Sequence, residues 1–138
     1  MTKIKNILKE VRTIAIVGAS SNKDRDSFKV MKALIDNGYT VYPVNPNEKG
    51  KVILGQQCFP CLESLKDNID MVDIFRNYNA VMDITKMAIK VGAKVLWMQE
   101  GIIHNQAAEL AQNAGLKVVM DKCPKKELLN TNWTSKTK

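Results

Sequence analysis

The feature that most constrains the fold of this 138-residue chain is a regular alternation of short apolar runs with segments of helical periodicity. Residues 27–37, 79–91 and 105–114 place apolar side chains at helical spacing, and a glycine follows each of these segments. The apolar runs that we predict to be strands cover residues 12–17, 40–44, 69–75, 94–98 and 116–120, with a shorter run at 52–54. This alternation predicts a three-layer, doubly wound α/β domain with a mostly parallel sheet and helices on both faces.

The chain length corresponds to one domain, which we place at residues 1–129. Residues 130–138 have no periodicity and are predicted to form a mobile tail. Pro43 lies within the second predicted strand and indicates an edge strand or a strand end, because proline cannot donate to a sheet. Apolar runs long enough to span a bilayer and an N-terminal secretory signal are both absent, so a cytoplasmic location is expected.

The charge balance favours an anionic partner. Lysine and arginine number 21 against 14 acidic residues, which gives a formal net charge of +7. Many of the lysines crowd the two ends of the chain, which favours solvated termini over a nucleic-acid face. No interleaved aromatic residues support nucleic-acid binding.

The loop after the first predicted strand has the composition of a phosphate-binding turn. Small residues at Gly18, Ala19, Ser20 and Ser21 let backbone N–H groups approach an anion, and a predicted helix follows. A capped strand-to-helix turn with no ligand explains the same residues equally well. A dinucleotide site is disfavoured, because this loop has one glycine of the three expected and the second strand ends without a carboxylate. The P-loop pattern is absent from the chain.

Several short blocks, in a fixed order along the chain, carry a resemblance to a known family. They are Ile16-Val17-Gly18-Ala19-Ser20, Arg25 with Ser27, Gly38-Tyr39, Pro43-Val44-Asn45-Pro46, Gly50-Lys51, Leu54-Gly55, Val72-Asp73-Ile74-Phe75-Arg76, Gly92-Ala93-Lys94, Leu96-Trp97-Met98-Gln99 and Met120-Asp121-Lys122-Cys123-Pro124. From about residue 11 to residue 129 the chain resembles the small stand-alone CoA-binding proteins. Their domain is similar to the N-terminal nucleotide-binding domain of the succinyl-CoA synthetase α subunit.

The resemblance implies a Rossmann-like domain that binds coenzyme A. It implies a site in which the loop residues contact the diphosphate, Arg25 and Ser27 assist there, and the end of the second strand follows the adenosine. The implied site residues are Gly18, Ala19, Ser20, Ser21, Arg25, Ser27, Val44, Asn45, Pro46, Phe75, Arg76, Gln99 and Gly101. Glu100 is acidic beside this anion site, so it either faces solvent or marks where the phosphates do not lie.

The three cysteines and the single histidine offer further candidates for chemistry. Cys58 and Cys61 form a C-x-x-C in a loop, either two unconnected thiols or an oxidisable pair. Cys123 follows the last strand beside the implied crevice, either as a structural cysteine or as a partner for the cofactor thiol in a mixed disulfide. His104 precedes a predicted helix and is expected to cap it or to lie on the surface. Asp73 lies inside a strand, and if buried it should be hydrogen-bonded.

No serine–histidine–acid set, carboxylate pair or metal cluster can be assembled from these residues. We therefore expect a non-catalytic carrier, sensor or accessory module for coenzyme A or acyl-CoA, with no metal. One alternative is an NAD(P)-dependent reductase. Another is a thiol-based redox or interaction protein that uses Cys58, Cys61 and Cys123.

Overall fold

The computed structural model describes residues 2–130. The strands are β1 (Thr13–Val17), β2 (Thr40–Val44), β3 (Val52–Ile53), β4 (Gln56–Gln57), β5 (Met71–Ile74), β6 (Val95–Met98) and β7 (Lys117–Val119). The helices are α1 (Thr2–Glu10), α2 (Asp26–Asp36), α3 (Tyr78–Lys90), α4 (Asn105–Asn113) and α5 (Pro124–Asn130), with 3-10 turns at Pro46–Glu48 and Leu62–Ser64. Within residues 2–130, every helix is too short or too polar to cross a bilayer.

Five of the strands form one parallel sheet in the order β2-β1-β5-β6-β7. Strands β3 and β4 form a small antiparallel pair beside it. The chain passes from β1 to β2 on one side and then crosses to β5 on the other, so the winding direction reverses between β1 and β5. Such a reversal opens a crevice at the carboxyl ends of the two strands. Pro43 lies in the edge strand β2, as predicted.

Helices cover both faces of the sheet, which confirms the predicted three-layer α/β fold. Helices α1, α2 and α5 contribute to a core that contains Ile14, Ile16 and Trp97 from the sheet. Helices α3 and α4 contribute to a second core on the opposite face, with Ala15 and Leu96 from the sheet. Neighbouring residues along each strand therefore belong to different cores, because side chains alternate across a sheet.

Two helices near the ends of the chain were not predicted. In α1, Ile7 and Leu8 are buried, and the hydroxyl of Tyr39 donates to the carbonyl oxygen of Leu8. Helix α5 packs beside α1 and α2. Asn130 ends α5, so the first residue of the predicted tail is helical, and residues 131–138 lie outside the described residues.

The expectation that a buried Asp73 is hydrogen-bonded is wrong. Its side chain is fully buried in β5, and neither carboxyl oxygen has a hydrogen-bond partner among the described residues. Burial raises the pKa of Asp73 well above its usual range. The physical reason is that a neutral carboxylic acid costs much less to bury than a carboxylate, so protonation replaces pairing.

Candidate functional site

Two strand ends touch at the point where the winding direction reverses. Gly18 follows β1 with a φ of +97°, and a Cβ atom on it would lie 2.6 Å from the carbonyl oxygen of Phe75 after β5. The amide of Phe75 donates to the carbonyl oxygen of Val17 at 2.8 Å. Glycine alone tolerates both this φ and this approach. The loops that follow β1 and β5 therefore border one crevice.

Much of the hydrogen-bonding capacity of the loop after β1 is used within the protein. The amides of Gly18 and Ala19 donate to the carbonyl oxygen of Val44, at 2.8 and 3.4 Å. The amide and the hydroxyl of Ser21 donate to Glu48 Oε1, at 2.8 and 2.7 Å. In this conformation the amides of Gly18, Ala19 and Ser21 donate to groups of the protein itself, and the implied contact of these residues with a diphosphate stays a prediction.

Glu48 holds one side of the loop in place and forms an ion pair with Lys51. Its Oε2 accepts a hydrogen bond from Lys51 Nζ at 2.8 Å. The pKa of Glu48 is lowered to about 2, first by this bond and then by the backbone and hydroxyl of Ser21. The Glu48 carboxylate occupies the amide and the hydroxyl of Ser21, so the donors that remain for an anion lie on the other side of the loop, where α2 begins.

Helix α2 begins without a side-chain cap. Its N-cap residue is Arg25, whose backbone is extended and whose side chain makes no capping hydrogen bond. The amides of Asp26 and Ser27 stand in the first helical turn and lack intrahelical partners. Free N–H groups and the helix dipole together favour an anion at this position.

The start of α2 opens into a cavity of about 500 Å³, which we call the α2 cavity. It is lined by Gly18, Ser20, Asp24, Arg25, Asp26, Ser27, Asn45, Asn47, Phe75 and Arg76. Most of the site residues implied by the sequence thus meet in one place. Sequence reasoning missed Asp24, Asp26 and Asn47, although the position of the helix start was a signal for the first two. Two arginines and two carboxylates line the cavity, so its local charge is balanced and the helix start supplies the additional positive potential.

A second cavity of about 240 Å³ adjoins the first, and Arg76 lines both. We call it the apolar cavity, because its lining is largely aliphatic. The lining residues are Val17, Val44, Pro46, Pro60, Cys61, Leu62, Arg76, Ala80, Asp83, Ile84 and Met87. Val44 and Pro46 are among the residues implied for the adenosine part. Sequence reasoning missed the residues from 60–62 and α3, because no local pattern shows that they meet there.

A third cavity of about 130 Å³ adjoins the α2 cavity on the side away from the apolar cavity, and Asp26 lines both the third cavity and the α2 cavity. We call it the Cys123 cavity. It is lined by Asp26, Lys29, Val30, Gln99, Glu100, Cys123, Lys125 and Lys126. Gln99 thus lies beside the crevice, where the sequence placed it. Gly101 lines none of the three cavities, and its amide donates to Asp121 Oδ1 at 2.7 Å. Glu100 is exposed and pairs with Lys126 at 3.0 Å.

The tip of β2 carries an amide instead of a carboxylate. Asn45 Nδ2 donates to the carbonyl oxygen of Ala19 at 2.8 Å, and Asn45 Oδ1 accepts from the amide of Asn47 at 3.0 Å. Asn45 therefore connects the loops after β1 and β2. A ribose diol of NAD would find no carboxylate at this strand tip, which was one of the two reasons for disfavouring a dinucleotide.

The remaining candidates for chemistry have structural partners. His104 Nδ1 accepts from the amide of Ala107 at 3.1 Å and caps α4, as expected, and its ring stacks on Tyr78. The three thiols are free: Cys58 is buried and faces the carbonyl oxygen of Asn45, whereas Cys61 is exposed. No group of three residues able to ligate a metal occurs within residues 2–130.

This geometry, with an uncapped helix start and two arginines at the reversal point of a parallel sheet, is typical of sites for phosphorylated nucleotides. A family model for a CoA binding domain matches residues 12–128. The chain belongs to this CoA-binding domain family. The match covers all five strands of the main sheet and every residue of the three cavities.

Relatives of this CoA-binding domain include whole small proteins and a part of a long enzyme. The uncharacterized protein YneT of Bacillus subtilis is 34% identical over 123 residues, which cover 89% of this chain and 90% of YneT. The solved structure of a hypothetical protein from Pyrococcus horikoshii OT3 matches with a TM-score of 0.88 and 39% identity, covering 94% of this chain and 89% of that chain. The ADP-forming acetate–CoA ligase I of Archaeoglobus fulgidus is 26% identical over 122 residues, which cover 81% of this chain and 18% of the ligase.

Proposed function

We propose that this protein binds coenzyme A or an acyl-CoA at the carboxyl edge of its sheet. The observation that carries the proposal is the uncapped start of α2, which opens with Arg25 and Arg76 into the α2 cavity of a CoA-binding family member. A diphosphate there would accept hydrogen bonds from the amides of Asp26 and Ser27. Arginine is suited to bidentate contacts with phosphate oxygens.

The two neighbouring cavities match the two ends of the cofactor. The apolar cavity offers Pro46, Ile84 and Met87 as walls for the flat adenine ring. The Cys123 cavity lies on the opposite side of the α2 cavity and would receive the pantetheine arm. Arg76 lines both the α2 cavity and the apolar cavity, and Asp26 lines both the α2 cavity and the Cys123 cavity. A ligand with its diphosphate at α2 can therefore extend into both neighbouring cavities.

We further propose that the protein is not an enzyme and catalyses no turnover of the cofactor, and that it acts in the cytoplasm as a carrier, sensor or accessory module. Two observations support this role. The single histidine uses Nδ1 to cap α4. The fully buried Asp73 belongs to the sheet and lines none of the three cavities.

Isothermal titration of the purified full chain with coenzyme A tests the proposal. We expect saturable binding, and we expect Arg76→Gln to weaken it by about 10- to 100-fold, since a charge-assisted hydrogen bond contributes about 1.5–3 kcal/mol. Arg12→Gln is the matched control, because Arg12 directly precedes β1 at the opposite edge of the sheet. Absence of binding, or equal losses in the two variants, would reject the proposed site.

A further inference from the structure

The Cys123 cavity is lined by two buried polar side chains, Cys123 and Gln99, whose role the proposed function does not explain. Cys123 and Gln99 are 6% and 7% exposed, and both line this cavity. Cys123 stands between β7 and α5, and Gln99 directly follows β6. Two separate strand ends therefore bring a thiol and a carboxamide to the same small space.

Gln99 indicates that the cavity is built for a ligand with an N–H donor. Its Oε1 atom is buried and has no hydrogen-bond partner among the described residues. Buried polar atoms without partners are rare in native proteins, and a bound ligand is one way to satisfy them. The pantetheine arm carries two secondary amides, and an N–H of either one can donate to this oxygen.

Cationic side chains surround the same space. Lys29, Lys125 and Lys126 line the cavity with the carboxylates of Asp26 and Glu100. Lys126 is paired with Glu100, whereas Lys29 and Lys125 make no ion pair within residues 2–130. The pKa of Lys126 is raised, first by its hydrogen bond to Glu100 and then by the charge of that carboxylate.

We propose that Cys123 exchanges with coenzyme A disulfide and retains one coenzyme A as a mixed disulfide. This inference rests on the proposed function, because it requires the diphosphate at α2 and the pantetheine arm beside Gln99. The Cys123 thiol first loses its proton to solvent, and its sulfur then attacks one sulfur of coenzyme A disulfide. A new S–S bond forms to Cys123, the S–S bond of the reagent breaks, and the departing coenzyme A thiolate takes up a proton.

The other two cysteines provide internal controls. Cys61 is exposed and lines the apolar cavity, so it is the thiol that a disulfide without recognition should reach first. Cys58 is buried, and this burial raises the pKa of its thiol. Preferential reaction at the buried Cys123 therefore requires the reagent to be bound, since exposure alone favours Cys61.

The test treats the reduced full chain with coenzyme A disulfide or, separately, with glutathione disulfide, and locates the adducts by peptide mass spectrometry. We expect coenzyme A disulfide to modify Cys123 about tenfold faster than Cys61, because binding raises the local concentration of the reagent. We expect glutathione disulfide to modify Cys61 first. Gln99→Leu should slow the coenzyme A reaction at Cys123 and leave the glutathione reaction at Cys61 unchanged.

A parallel titration with reduced coenzyme A separates this inference from the proposed function. If coenzyme A binds but its disulfide modifies Cys61 preferentially, or modifies no cysteine, the inference is wrong and the proposed function stands. If coenzyme A does not bind, both are wrong. The adducts are located in the chain without substitutions, so the test does not depend on whether Cys123→Ser folds. Where that variant folds, it should bind coenzyme A, and its Cys61 should react with coenzyme A disulfide no faster than Cys61 of the chain without the substitution.

Discussion

Replacing Gly18 by alanine tests whether the contact between β1 and β5 shapes the site. The added Cβ atom would lie 2.6 Å from the Phe75 carbonyl oxygen and 3.1 Å from Arg76 Cδ, at a φ of +97°. The strained backbone costs about 1–2 kcal/mol. Forcing apart well-packed atoms costs about 1–3 kcal/mol more. We therefore expect Gly18→Ala to lower the free energy of unfolding by about 2–5 kcal/mol.

Gly115→Ala is the matched control for the effect of backbone strain. Gly115 has a φ of +94°, and a Cβ atom there would meet nothing within 4 Å. Urea unfolding followed by far-ultraviolet circular dichroism should show a loss of about 1–2 kcal/mol for this variant. Coenzyme A binding should weaken in Gly18→Ala alone, since only that change displaces Phe75 and Arg76. Equal destabilisation by the two substitutions would refute the close contact.

Three other results should follow from the structure. The pKa of Asp73 in the folded protein lies above that of the unfolded chain. The free energy of unfolding is therefore highest below the ordinary pKa of 3.8 and falls as the pH rises above it, with a slope approaching about 1.4 kcal/mol per pH unit. Urea unfolding at several pH values should therefore show that Asp73→Asn loses this slope and is more stable than the unsubstituted protein at neutral pH. An unchanged slope in the variant would contradict this. His104→Ala should lose about 1 kcal/mol in thermal or urea unfolding while His104→Asn retains most of it, because asparagine can also cap a helix, and equal losses would argue against the cap. Titration with 3′-dephospho-coenzyme A should give weaker binding than coenzyme A that also depends less on salt, and equal affinities would argue against a contact with that phosphate.

The central part of the fold could be predicted because its patterns are local. The apolar run at 40–44 coincides with β2, and the glycines after α2, α3 and α4 marked the helix ends within a residue or two. Helix α1 was missed although Ile4, Ile7 and Leu8 have helical spacing, because its lysines suggested a solvated terminus. Such a helix becomes recognisable once the sheet face that buries Ile7 and Leu8 is known.

The site could be predicted only in part, because hydrogen-bond partners are distant in sequence. Residues that follow parallel strands must meet at one edge, and this correctly brought Gly18, Asn45 and Arg76 together. The sequence does not indicate that Ser21 donates to Glu48, 27 residues away. Spacing likewise cannot reveal that Gln99 has an unsatisfied oxygen, because that depends on every neighbour in the folded chain.

The most direct test is a crystal structure of the full chain with coenzyme A. We predict the diphosphate at the amides of Asp26 and Ser27, between Arg25 and Arg76, with the adenine in the apolar cavity and the thiol end beside Cys123. Density for the diphosphate at another surface, with the start of α2 free of phosphate, would contradict the account.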